Sequence, residues 1–154
     1  TCIAVYVAMI SQENNALSIV SIIGLFIWVA GFVIEVVSDS QKRNFRKDLN
    51  NKGRFISTGL WSRSRHPNYF GEITLWVGIS VISLSSLSGI GYVALISPFF
   101  VYALLSKGSG IPLLERSADK KWGNESDYQE YKKGTPVLFP KLFNNIKQSN
   151  DNGN

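Results

Sequence analysis

Glu35, Asp39, Lys42, Arg43 and Arg46 recur at spacings of three and four residues. A helix advances about 100° per residue, so all five charges fall within an arc of about 100°. One chemistry for such a stripe is a salt-bridge ladder, with Asp39 and Arg43 in the acid-first i,i+4 order. The other is a nucleotide site, in which carboxylates hold ribose hydroxyls and Arg43 and Arg46 fork onto phosphates. Glu35 tilts the choice. It follows a long apolar run, and a carboxylate at the rim of a hydrocarbon layer is costly unless it faces a protein interior or a wet cavity.

A second group lies in WSRSRHPNYFGEITLW, residues 61 to 76. Pro67 suits the first position of a helix, where its missing N–H costs nothing. The residue before a proline is pushed out of the helical region, which makes His66 the cap. Asn68, Glu72 and Trp76 then share one face, with Tyr69 beside them. The free N–H groups of the helix end, with Arg63, Arg65 and His66, form an anion cradle. Asn68 and Glu72, one turn deeper, can hydrogen-bond a flat polar group such as a carboxamide, and Trp76 can pack on its ring. The competing reading is a basic loop that grips lipid headgroups, with Glu72 serving the helix dipole.

These residues need elements to hold them. Residues 16–38, ALSIVSIIGLFIWVAGFVIEVVS, carry one charge, Glu35, and match the ~20 apolar residues of a spanning helix. If this helix continues past the membrane surface, it carries the charged stripe. Residues 1–10 read as the end of an earlier apolar segment, and SQENN as a turn. Residues 70–106 are a second apolar region without Lys or Arg, read as a helical hairpin whose second arm Pro98 bends. The alternative, buried helices of a soluble bundle, fits poorly with a segment that is apolar on every face. ERSADKKWG predicts a short helix ending at Gly123. SDYQEYKK predicts another, capped by Ser126 with Glu130 four positions on and ended by Thr135-Pro136. Residues 141–154 read as a polar flexible tail.

The expected fold is all-α: a polytopic membrane bundle with three to four membrane segments and a cytoplasmic C-terminal helical region over residues 1–140. All 16 Lys and Arg residues lie at or beyond Lys42. Under that topology they share one side, which the positive-inside rule makes cytoplasmic. The net charge of +5 then needs no nucleic acid partner. One Cys and one His exclude an internal disulfide and do not suit zinc. The chain opens Thr-Cys, which reads as a piece whose N-terminal helices lie elsewhere.

GLWSRSRHPNYFGEITLW, SGIPLLER and DYQEYKKGTPVLFP resemble the C-terminal domain of the steroid 5-alpha-reductase family, and more narrowly its bacterial-type relatives of unassigned substrate. The resemblance implies a multi-helix membrane reductase that binds NADPH from the cytoplasmic side and adds hydride to a C=C bond of a lipid-soluble enone or sterol-like substrate. It places Glu35, Asp39, Arg43, Arg46, Arg54, Asn68, Glu72 and Trp76 along the cofactor pocket, with Arg63, Arg65 or His66 aiding at the phosphates. Those reductases have Asn at the position of Glu35. The region around Glu115, Arg116 and Tyr131 is the nearest equivalent of their later His and Tyr contacts. Tyr69 and Glu72 are the local candidates for catalysis. Isoprenylcysteine carboxyl methyltransferases, which use S-adenosylmethionine, share the RHP-(N/S)-Y-x-G stretch. They differ at Glu72 and have a Glu-Glu pair where this chain has Glu115-Arg116. A non-catalytic lipid-binding module is the remaining alternative.

Overall fold

A computed structural model describes residues 18–84, 87, 89–108 and 110–141. Residues 1–17 and 142–154, and with them the expected N-terminal segment and most of the expected tail, lie outside the described residues. Among the described residues all regular structure is helical, as expected, with no strand. Helix α1 (Ile19–Lys47) is followed by two short 3-10 turns, α2 (Pro67–Ser83), a 3-10 segment (Gly89–Ile96), α3 (Ser97–Lys107), α4 (Ile111–Trp122) and α5 (Ser126–Gly134).

The sequence of α1 explains its length. Ser18 caps its start, accepting a hydrogen bond from Val20 N at 3.2 Å. No proline interrupts it, and Arg46 and Lys47 in the last turn face the negative end of the helix dipole. The apolar run and the charged stripe therefore form one continuous rod of 29 residues, about 44 Å at 1.5 Å per residue. It is the one described helix long and apolar enough to cross a membrane. Of the three to four membrane segments expected, this is the single candidate among the described residues.

Helices α1 and α2 pair antiparallel through glycines. Gly24 and Gly31 on α1, and Gly71 and Gly78 on α2, are buried. A Cβ added at Gly24 would lie 2.6 Å from Ile82 N, one at Gly71 2.6 Å from Glu35 N, and one at Gly78 2.5 Å from Trp28 N. The two backbones touch, and any side chain at these positions would force them apart. In each helix the glycines are seven residues apart, two turns, which keeps them on one face. The inward positions of α1 are small (Gly24, Gly31 and Ser38), whereas Phe26 is 71% exposed and Ile23 51%. Small residues inward and large apolar residues outward is how helices pair in lipid, where burial of apolar area gives no drive.

The Ser and Thr hydroxyls of α2 are satisfied within the helix. Thr74, Ser80 and Ser83 donate to the carbonyls of Phe70, Trp76 and Ile79 at 2.8, 3.0 and 2.9 Å. His66 does cap α2, and Pro67 opens it. Pro98 differs from expectation. It sits in the first turn of α3 and opens that helix instead of bending it, because proline is tolerated where no intrahelical N–H is needed. Ser126 also differs: it is the first residue of α5, the cap is Glu125, and the Ser126 hydroxyl donates to Asp127 Oδ1. Gln129 Nε2 closes the preceding turn by donating to Gly123 O at 2.7 Å. Gly123 and Thr135 end α4 and α5 as the sequence indicates.

After α5 the chain returns under the loop before α2. Arg65 N donates to Pro136 O at 2.9 Å, and Lys141 N donates to Arg63 O at 3.0 Å. The buried Ser64 hydroxyl donates to Leu138 O at 2.8 Å, and Phe139 meets Phe70 edge-on. The TPVLFP stretch is therefore a strap that fixes the entry to α2.

Candidate functional site

The charged C-terminal half of α1 meets three other elements around a cavity of about 190 Å³. Lys42, Phe45 and Arg46 come from α1, Arg54, Phe55, Trp61 and Arg65 from the α1–α2 connection, Leu114, Glu115 and Trp122 from α4, and Tyr128 and Tyr131 from α5. An open concavity of about 490 Å³, lined by Asp39, Lys42, Arg43, Arg46 and Lys47, adjoins it and shares Lys42 and Arg46.

Each wall has a local cause. The ring of Phe55 sits among those of Trp122, Tyr128 and Tyr131, at centroid distances of 6.0, 5.3 and 5.4 Å. Trp61 is 4% exposed, and its indole donates to Ser38 O at 3.0 Å. Lys42 lies 4.7 Å over that ring, a cation–π contact. Tyr131 donates its hydroxyl to Trp61 O at 2.7 Å. Trp122 donates to Gly53 O at 2.5 Å and thereby ties α4 to the loop that carries Arg54. Gly53 has φ +86°, the left-handed region that a glycine tolerates. Burial, with the nearby Asp119 carboxylate next, pushes the Tyr128 phenol up to about 12. The hydrogen bond from Lys132 holds the Asp119 carboxyl below its usual range.

Glu115 joins α4 to the start of α2. Its Oε2 pairs with Arg65 Nη1 at 2.5 Å and its Oε1 with His66 Nε2 at 2.8 Å. Burial would raise this carboxyl, but the His66 hydrogen bond and the Arg65 charge outweigh it and hold it below the usual range. The His66 ring also stacks on Tyr69, 5.7 Å away and 13° from parallel.

The predicted residues fall into two neighbouring sets. Arg46, Arg54 and Arg65 line the aromatic-walled cavity, and Asp39 and Arg43 line the open concavity. Asp39 and Glu72 lie within electrostatic reach of each other and of both Glu35 and Tyr69, where α1 crosses α2. Asn68 and Trp76 are half-buried on the same helix as Glu72. Among the described residues Glu35, Asp39, Asn68 and Glu72 have no hydrogen-bonded or ion-paired side chain, so the Asp39–Arg43 ladder of the alternative reading is not formed. Arg63 and Arg116 are exposed and do not line the cavity.

Sequence reasoning missed the aromatic wall. Phe55, Trp61, Trp122 and Tyr128 carry no spacing signal. Their one trace is that large aromatics interrupt otherwise polar, lysine-rich stretches such as DKKWGNESDYQEYKK.

The profile of a family described as a protein of unknown function, DUF1295, matches residues 1–135. The chain belongs to this steroid 5-alpha-reductase-like family. It is 30% identical over 122 residues to 3-oxo-5-alpha-steroid 4-dehydrogenase 1 of Macaca fascicularis, covering 79% of this chain and 41% of that protein. It is also 30% identical over 124 residues to steroid 5-alpha-reductase DET2 of Arabidopsis thaliana, covering 79% and 42%. The probable O-methyltransferase ustE of Ustilaginoidea virens is 33% identical over 98 residues, covering 64% and 32%. The chain spans about two fifths of the length of the steroid reductases it matches. No solved structure matches it.

Proposed function

We propose that this chain is the cofactor-binding part of a multi-pass membrane reductase, basic segments on the cytoplasmic side, that uses NADPH to reduce a C=C bond of a lipid-soluble enone or sterol-like substrate. One observation carries this reading. Arg46, Arg54 and Arg65, with Lys42, converge from different elements on a cavity walled by aromatic rings. Several cations beside clustered aromatic rings suit a phosphorylated nucleotide, with phosphates on the guanidinium forks and a base against a ring. The donor set fits the cofactor in a second respect: Arg65 Nε is buried and lacks an acceptor among the described residues.

The aromatic-walled cavity has room for one ring system, and the adjoining concavity extends it along α1. In this reading Arg46, Arg54 and Arg65 hold phosphates, with Arg43 at the outer mouth. Asp39 and Glu35 accept from ribose hydroxyls. Asn68 and Glu72 hydrogen-bond the carboxamide of the nicotinamide, and Trp76 packs beside it. His66 supports Arg65 through Glu115. When bound, NADPH supplies the hydride, and the protein's contribution is to hold it in place. Tyr69, whose neighbours Glu72 and Asp39 are acidic, is the local group able to donate a proton to the substrate.

S-adenosylmethionine is the competing ligand, since an O-methyltransferase is among the relatives. It carries no phosphate and leaves the arginines without a role. Calorimetric titration of the purified chain with each compound separates the two. Saturable NADPH binding that weakens about tenfold or more in Arg46→Ala is expected. Saturable binding of S-adenosylmethionine alone overturns the proposal.

A further inference from the structure

Arg65 and His66 are adjacent in the chain, and one carboxylate holds both. Glu115 uses a separate oxygen for each, and the three side chains are 11%, 7% and 19% exposed for Arg65, His66 and Glu115. Arg65 and Glu115 both line the aromatic cavity. We infer that Glu115 is a positioning residue for the phosphate-binding arginine: it fixes the Arg65 guanidinium by one edge and leaves the buried Nε–H for an anionic ligand. The inference rests on the cofactor reading above.

The argument follows the donors of Arg65. A guanidinium has five N–H donors in a rigid fork, so anchoring one edge sets the direction of the others. Nη1 is spent on Glu115 Oε2. Nε is buried with no partner among the described residues. A buried N–H without an acceptor is unfavourable, and a phosphate oxygen arriving in the cavity removes that penalty. His66 completes the anchor. Its Nε2 meets Glu115 Oε1, its ring stacks on Tyr69, and its backbone N–H donates to the Ser64 hydroxyl at 3.2 Å. The carboxylate therefore cannot turn away without releasing the helix start as well. Arg65 is held on its backbone side too, through Pro136 O, so its remaining freedom is in the side chain that Glu115 restrains.

Electrostatics and positioning predict opposite signs for the loss of Glu115. A carboxylate beside an anion site repels the ligand, so charge alone predicts tighter anion binding when Glu115 is neutralised. Positioning predicts weaker binding of a shaped ligand, because the fork loses its direction. Glu115→Gln preserves size but has one carbonyl oxygen for two partners. Glu115→Asp keeps the charge one methylene short, so it can hold one partner and not both.

The test is titration of the full chain and both variants with NADPH and, separately, with inorganic pyrophosphate, alongside thermal melts. For Glu115→Gln, NADPH affinity is expected to fall at least tenfold while pyrophosphate affinity holds or rises. Glu115→Asp is expected to lie between Glu115→Gln and the unmodified chain. Unchanged or tighter NADPH binding in Glu115→Gln overturns the inference. So does a parallel loss of both ligands with a lowered melt, which is the mark of a purely structural residue. If Glu115→Gln does not fold, Arg65→Lys carries the test. It keeps a cation for Glu115 but lacks the Nε–H edge, and unchanged NADPH affinity there overturns the inference. Absence of NADPH binding by the unmodified chain instead removes the cofactor reading on which the inference stands.

Discussion

Arg46 approaches the cavity from a helix, while Arg54 and Arg65 come from the connection that follows it. In the proposed function their contribution to cofactor binding is a sum of charge-assisted contacts, each about 1.5–3 kcal/mol. Arg54→Ala is therefore expected to weaken NADPH by about tenfold or more, with a shallower dependence of affinity on salt, checked by titration at two ionic strengths. Glu115 makes a different prediction. Its folded carboxyl lies below the ordinary 4.5. The stability it contributes is fully present above that value and is lost as pH falls through the folded one. Chemical unfolding followed from pH 6 to 3 is expected to show destabilisation below about pH 4.5 that is reduced in Glu115→Gln; an identical acid profile in the variant contradicts this role. Single residues were the most legible scale. The types and spacing of Asp39, Arg46, Asn68 and Glu72 were readable, but their partners were not. Glu115 pairs with Arg65 and His66 across about 50 positions, and no local period reports such a contact.

At the scale of elements, the glycine spacing on α1 and α2 sets how closely the acids of one helix approach Glu72 on the other. A Cβ at Gly71 would strike the backbone of Glu35. Gly71→Leu is expected to cost about 1–3 kcal/mol or more by overpacking and to reduce NADPH binding by separating the two helices. Gly134 has nothing within 4 Å of its would-be Cβ, and Gly134→Ala is expected to be neutral within about 1 kcal/mol. Thermal melts of the two variants check both statements. The strap is a second element-scale device. Leu138 is 6% exposed, and Leu138→Ala is expected to cost about 2–5 kcal/mol and to increase protease cleavage between Arg63 and Arg65. The helices themselves were legible, since long apolar runs, Pro67 and Gly123 mark their bounds. The strap was not: PVLFP has no period, and its role comes from two backbone hydrogen bonds to a loop far away in sequence. Pro98 shows the same limit, because a proline opens a helix as readily as it bends one and only the preceding 3-10 segment decides.

For the molecule as a whole, α1 links two environments. Its first half presents large apolar side chains outward, as lipid requires, and its second half supplies Lys42 and Arg46 to a polar cavity. A continuous rod places the acids near the apolar run and the cations beyond it, and in the proposed function this order holds a ligand with phosphates and an aromatic head with its head toward the lipid-soluble substrate. This order of charges was readable from the run of residues 16–46. The aromatic enclosure that gives it a pocket was not, because α4 and α5 are brought to α1 by contacts such as Trp122 to Gly53 that the sequence does not announce. The central claim is that clustered arginines bind the phosphates of NADPH. Its most direct test is the ratio of NADH to NADPH dissociation constants, measured by titration of the full chain and of the Arg46→Ala and Arg54→Ala variants. The account predicts a preference for NADPH of about tenfold or more that shrinks in at least one variant, as the loss of one charge-assisted contact requires. Equal affinity for the two nucleotides, unaltered by either substitution, would contradict it.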